Sequence, residues 1–187
     1  AFAPDLGGAF IFGEGSHGAM YKDNYYADDL FFYDSLANAW VCVYPGFDVT
    51  KYKDVKINAD GFETFNDVPI PIASIVHGYA MTIYNKDNQC FMSMPCPGNY
   101  WDKISGRREI LGEGGEEYSP KINKLHASPW IWDVKKGSWN RLKTKNSIEK
   151  SLGFGAVLIY IPSLKKVWAY SRSGTYFYDT STNDWET

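Results

Sequence analysis

An eight-residue pattern occurs three times in this chain. Tyr33-Asp34 to Trp40 reads YDSLANAW, Trp132-Asp133 to Trp139 reads WDVKKGSW, and Tyr178-Asp179 to Trp185 reads YDTSTNDW. Each copy is an aromatic residue, an aspartate, a polar run rich in Asn, Ser, Gly or Lys, and a tryptophan. A pattern recurring at one spacing means that one structural unit is used several times, which outranks any local propensity. Aspartate can bond its own backbone two residues on and so start a turn, and Asn, Gly and Ser supply turn conformations. Large aromatics favour the half-buried pleated surface of a strand. The octapeptide therefore predicts a tight β-hairpin in which the aromatic closes one strand and the Trp opens the next. Trp40, Trp139 and Trp185 are expected to pack between structural units rather than to touch a ligand.

The remaining strands follow from composition and punctuation. Seven Trp, 14 Tyr, 11 Phe and 17 Gly in 187 residues, with hardly a helical stretch, predict an all-β chain of short strands. Gly7–Gly13 (GGAFIFG) and Leu30–Tyr33 are apolar strands, and the first octapeptide leads into Trp40–Tyr44, which Pro45-Gly46 ends. Residues 45–75 read as a long connection, with Asp60-Gly61 as a turn signal and Pro69 and Pro71 keeping it extended. Ala80–Tyr84 turns through Asn85–Asn88 into Gln89–Met94. Ala156–Tyr160 turns around Pro162-Ser163 into Lys165–Tyr170, and the two segments align without a gap. In the second and third repeats a hairpin ending in Tyr thus precedes the octapeptide hairpin, making four strands (a, b, c and d) per repeat.

These features resemble kelch repeats, the four-stranded blades of a β-propeller also found in the central domain of galactose oxidase. The aromatic and Trp of the family's c–d turn match in all three repeats. Its Gly pair does not: Gly7-Gly8 precedes its strand, and Ser93-Met94-Pro95 and Ser171-Arg172-Ser173-Gly174 stand where a pair is usual. The resemblance implies an all-β, kelch-type propeller segment of about three four-stranded antiparallel blades spanning residues 1–187, part of a six- or seven-bladed propeller. Blade 1 covers about residues 7–44 and lacks its first strand. Blade 2 covers about 77–143 with an insertion at 95–127, and blade 3 covers about 153–187. Propellers close with typically four to eight blades. An arc of three leaves two sheet faces uncovered, so completion by another chain or by a missing part of the same protein is expected. A closed sandwich or small barrel of the same strands is the alternative fold.

In an antiparallel meander the a–b and c–d turns share one end, and the b–c and d–a connections share the other. Every long segment here is of the second kind: Glu14–Asp28, Pro45–Ile75 and Pro95–Ala127. Long loops gathered at one end of a rigid scaffold are where binding usually sits. Tyr100, Trp101, Asp102, Arg107 and Arg108, in the longest of them, mix aromatic and charged groups as protein- and sugar-binding surfaces do, and are the candidate contact residues. Capping of the propeller, or cover for a neighbouring subunit, is the competing role for these loops.

Catalytic patterns are sparse. His17, His77 and His126 all fall near the long-loop end and are weak candidates for a metal site, such as the copper centre that the galactose-oxidase resemblance brings to mind. No pair of them has ligand spacing. Asp23, Asp28 and Asp29 could face Ca²⁺, but not at the spacing of a known loop. Gly112–Glu117 (GEGGEE) lacks the Lys and helix of a phosphate cradle. No nucleophile elbow, HExxH or CxxC is present. The expectation is a non-catalytic scaffold without a cofactor that binds a protein or glycan through its long-loop face. The alternatives are a secreted galactose-oxidase-like oxidase or carbohydrate-active enzyme, and a structural subunit completed by other chains. A net charge of −3 invites neither nucleic acid nor an anionic membrane, and no run of 18 apolar residues is present. Three cysteines, Cys42, Cys90 and Cys96, make no disulfide framework, although the last two could pair. The opening AFAPD suits a mature end left by signal-peptide removal, hence an extracellular or periplasmic protein, and suits a proteolytic end equally.

Overall fold

The computed structural model describes residues 1–13, 29–48, 51, 54–60, 62–71, 81–94, 128–146, 152, 156–172 and 174–186. Within them the chain is all-β, built of antiparallel strands with a 3-10 turn at Pro4–Leu6. The first sheet runs in chain order: β1 (Phe2–Ala3), β2 (Gly8–Phe12), β3 (Leu30–Asp34) and β4 (Ala39–Tyr44). A three-stranded sheet follows, of β5 (Lys56–Ile57), β6 (Glu63–Phe65) and β7 (Val68–Pro69). The second four-stranded sheet is β8 (Thr82–Asn85), β9 (Cys90–Ser93), β10 (Trp130–Asp133) and β11 (Ser138–Arg141). The third is β12 (Val157–Ile161), β13 (Lys166–Ser171), β14 (Gly174–Asp179) and β15 (Asp184–Trp185). None of these sheets closes on itself as a barrel would, and the arrangement is compatible with a propeller-like fold.

All three octapeptides form the expected hairpins, by one local mechanism. The Oδ1 of Asp34 accepts from the backbone N–H of Leu36 and Ala37 at 2.9 and 3.0 Å. Asp133 does the same for Lys135 and Lys136, and Asp179 for Ser181 and Thr182. Four residues on from each aspartate, Asn38, Gly137 and Asn183 take positive φ, the conformation that turns the chain back and that Asn and Gly tolerate. The aromatic and the Trp then face each other across the strands: Tyr33↔Trp40, Trp132↔Trp139 and Tyr178↔Trp185. Their ring centroids lie 5.0, 5.3 and 5.3 Å apart. Asn85 builds the β8–β9 turn in the same way, accepting from Asp87 and Asn88.

Two strand assignments differ from the sequence expectation. The first repeat does have its opening strand: Phe2 and Ala3 pair with Ala9 and Gly8. Only two residues long, this strand shows no periodicity to read. The Gly7-Gly8 pair serves the tight turn between β1 and β2. Gly7 sits in the left-handed region at φ 67°, and a Cβ on Gly8 would lie 2.1 Å from the Tyr33 carbonyl oxygen. Residues 45–75, read as a connection, contain the three-stranded sheet. Asn58 organises its first turn by accepting from Asp60 and Phe62, and Pro69 lies in β7, paired with Thr64.

The first strands of the three large sheets, β1, β8 and β12, lie side by side, so each sheet packs face to face on the next. Between the first and second sheets lies an aromatic core of Phe10, Phe12, Phe91, Trp130, Trp132 and Trp139. Between the second and third lies a more aliphatic core that includes Ile83, Met92, Leu158, Val167, Tyr178 and Trp185. The three-stranded sheet packs beside β11, where the Arg141 guanidinium is held between the rings of Phe62 and Trp130, 4.8 and 4.6 Å from their centroids. The Trp expectation needs one correction. Trp139 and Trp185 are buried, but Trp40 is 56% exposed, because among the described residues no sheet lies against the outer face of the first.

Candidate functional site

The short turns place the two ends of the assembly. The β1–β2, β3–β4, β8–β9, β10–β11, β12–β13 and β14–β15 turns alternate along their meanders with the other connections, so they share one end. At the opposite end, Phe12 pairs with Leu30 and Ser93 with Trp130, and these strand ends bound residues 13–29 and 94–129. In the third sheet the same connection is tight, from Ser171 to Gly174. Tyr100, Trp101, Asp102, Arg107 and Arg108, together with His17, His77, His126, Asp23, Asp28 and Cys96, lie outside the described residues.

The described residues carry an open apolar cleft of about 380 Å³ at the short-turn end, between the first and second sheets. Leu6 from the β1–β2 turn, Phe10, Phe32 and Val43 from the first sheet, and Trp132, Val134 and Gly137 from the second line it. No ionisable side chain is among these described lining residues, which suit an apolar group. Sequence reasoning placed Phe10, Phe32 and Trp132 in strands and did not find the cleft. Alternation shows which face a residue occupies, not how closely two faces meet.

Several ionisable groups in the described residues hold turns and sheet junctions. No group of three or more His, Cys, Asp or Glu side chains that could hold a metal occurs among them. Cys90 is a free, buried thiol whose pKa burial and the Asp133 charge push up to about 12, so it is a poor nucleophile at neutral pH. Two tyrosines bridge neighbouring sheets. The Tyr84 hydroxyl donates to Asp5 Oδ2 at 3.1 Å, and the Tyr160 hydroxyl donates to Asp87 Oδ2 at 2.6 Å. Burial and these carboxylates push both phenols far above their ordinary value.

Three of the turn carboxylates titrate low. The hydroxyl of Tyr160, then Lys86, lowers Asp87. The backbone N–H of Lys136 lowers Asp133, and the Ser181 hydroxyl lowers Asp179. A carboxylate with a depressed folded pKa adds stability above its unfolded value, here 3.8, and loses it as pH falls through the lower folded value. The melting temperature is therefore expected to hold between about pH 7 and pH 5 and to drop below about pH 4. Asn85 shows that an amide oxygen can build the same turn, so Asp133→Asn with Asp179→Asn should keep the fold, lower the neutral-pH melting temperature toward its acid value and so shrink the acid drop. An acid drop of unchanged size in that variant would refute the assignment.

No protein-family model matches the chain. No curated protein matches it either.

Proposed function

We propose that the chain is a kelch-like propeller scaffold that binds a protein or glycan partner without catalysing a reaction, through the end that carries its long connections. The observation that carries the reading is the division of the ends: rigid Asx-capped turns at one, and strand ends bounding residues 13–29 and 94–129 at the other. A stiff set of sheets holding long segments at one end suits recognition, since the scaffold bears the ordering cost of the loops only at their roots. The kelch resemblance supplies the blade reading, with a six- or seven-bladed propeller as the complete form. Residues 95–127 supply the contact chemistry, with Tyr100, Trp101 and Asp102 as aromatic and hydrogen-bonding groups and Arg107 and Arg108 as bidentate cations.

The test is a Trp101→Ala, Arg107→Ala, Arg108→Ala variant screened beside the unaltered chain on a glycan array and against any isolated protein partner. Affinity should fall by more than about tenfold with the melting temperature unchanged. Undiminished binding by this variant would move the site elsewhere, with the apolar cleft at the opposite end as the next location. A second reading, a subunit completed by other chains, is favoured by the uncovered Trp40 face.

A further inference from the structure

Both internal junctions are built to one rule. In each of the second and third sheets, one cross-strand row faces the preceding sheet: Tyr84–Phe91–Trp132–Trp139 and Tyr160–Val167–Tyr178–Trp185. The first residue of each row is the tyrosine that donates to a carboxylate in the preceding sheet's first turn, Asp5 or Asp87. The equivalent row of the first sheet is Phe2–Ala9–Tyr33–Trp40. Among the described residues no sheet lies on that face, and Phe2, Ile11 and Trp40 stand exposed there.

The far side of the third sheet is also open. Its row Ile159–Trp168–Phe177 is the counterpart of Ile83–Met92–Ile131, which the second sheet buries against the third. Ile159 and Tyr170 are exposed there, with Tyr170 stacked on Trp168 at 5.8 Å. Among the described residues, two apolar, aromatic sheet faces thus have no sheet against them, one of each kind that the internal junctions join.

The two open faces match each other in detail. Where the internal junctions have a tyrosine, the first sheet has Phe2, which has no hydroxyl to donate. Where the second sheet's turn has Lys86-Asp87-Asn88, the third sheet's turn has Pro162-Ser163-Leu164, with no carboxylate and with Leu164 exposed. Both halves of the polar bridge are replaced at the open ends, each by a less polar group. An apolar pair is what a junction between these two faces would need, since a lone buried hydroxyl or carboxylate would be costly.

From this pairing we infer that two copies of the chain dock head to tail, the outer face of the first sheet of each on the open face of the third sheet of the other. A two-fold axis makes both contacts at once and closes a ring of six sheets, within the range in which propellers close. The inference rests on the propeller reading above.

Native mass spectrometry and sedimentation of the chain test it, together with Trp40→Lys and Ile159→Lys, each a lysine at an exposed position with folding checked by circular dichroism. The unaltered chain should have the mass of two chains, and each variant alone should be monomeric, because each lesion recurs in both contacts. Mixing the two variants should restore a dimer, since one of its two contacts is then free of both lesions. A monomeric unaltered chain, a variant that stays dimeric, or no recovery on mixing overturns the inference. A monomer whose binding still depends on Trp101, Arg107 and Arg108 would leave the proposed function standing; a ring that binds nothing through them would do the reverse.

Discussion

Truncating Trp139 to alanine is expected to remove about 3–5 kcal/mol of stability, while the same change at Trp40 should remove less than about 1 kcal/mol. The two tryptophans hold the same place in the same octapeptide, each opposite an aromatic across its hairpin. Trp139 also packs against Phe12 at 4.9 Å, Tyr44 at 5.8 Å and Trp130 at 6.3 Å, and is 4% exposed. Its removal leaves a large cavity between rigid sheets, and such cavities collapse poorly. Trp40 has Tyr33 beside it and is 56% exposed. Urea unfolding at concentrations where the chain is monomeric measures both changes. Equal losses at the two positions would refute the uncovered face, and with it the physical basis of the docking surface.

Arg141→Ala should be comparably severe, at about 3–5 kcal/mol. The guanidinium is buried between Phe62 and Trp130, its Nε donates to the Ser128 carbonyl at 3.1 Å, and the Glu63 carboxylate, itself buried, acts on its charge. Burial pulls Arg141 down to about 9 against the opposing effect of Glu63, so the group remains cationic at neutral pH. Its removal opens a cavity, leaves the Ser128 carbonyl without that donor and takes away a positive charge that Glu63 feels. Removing both charges, as in Arg141→Met with Glu63→Gln, should cost less than Arg141→Ala alone. The coupling in a double-mutant cycle should exceed about 1 kcal/mol. A loss below about 1 kcal/mol for Arg141→Ala would mean that the three-stranded sheet is not held to β11 by this residue.

Arg141 also marks a limit of reading the chain as a sequence. The strands β5, β6 and β7 are two or three residues long, too short for an alternating pattern to register. Phe62 and Ile70 are buried, so this sheet owes its stability to packing on a neighbour distant in sequence. The same holds for β1, whose two residues are a strand only because β2 is there to pair with them. The candidate contact residues Tyr100, Trp101, Asp102, Arg107 and Arg108 were legible only as a composition, aromatic and charged groups in a long insertion, and composition carries no geometry.

The hairpins and the two faces of each sheet were legible from residues close together in the chain. Asp34, Asp133 and Asp179 cap their turns through bonds to N–H groups two and three residues away, and Asn38, Gly137 and Asn183 supply the reversal, all within a few residues of chain. Strand alternation then puts each aromatic opposite its Trp. Which of those identical surfaces is covered depends on how whole sheets pack together. Trp40, Trp139 and Trp185 share one local geometry, yet two are buried and one is not. Burial belongs to the approach of a second sheet, and no eight-residue pattern encodes whether that sheet is there.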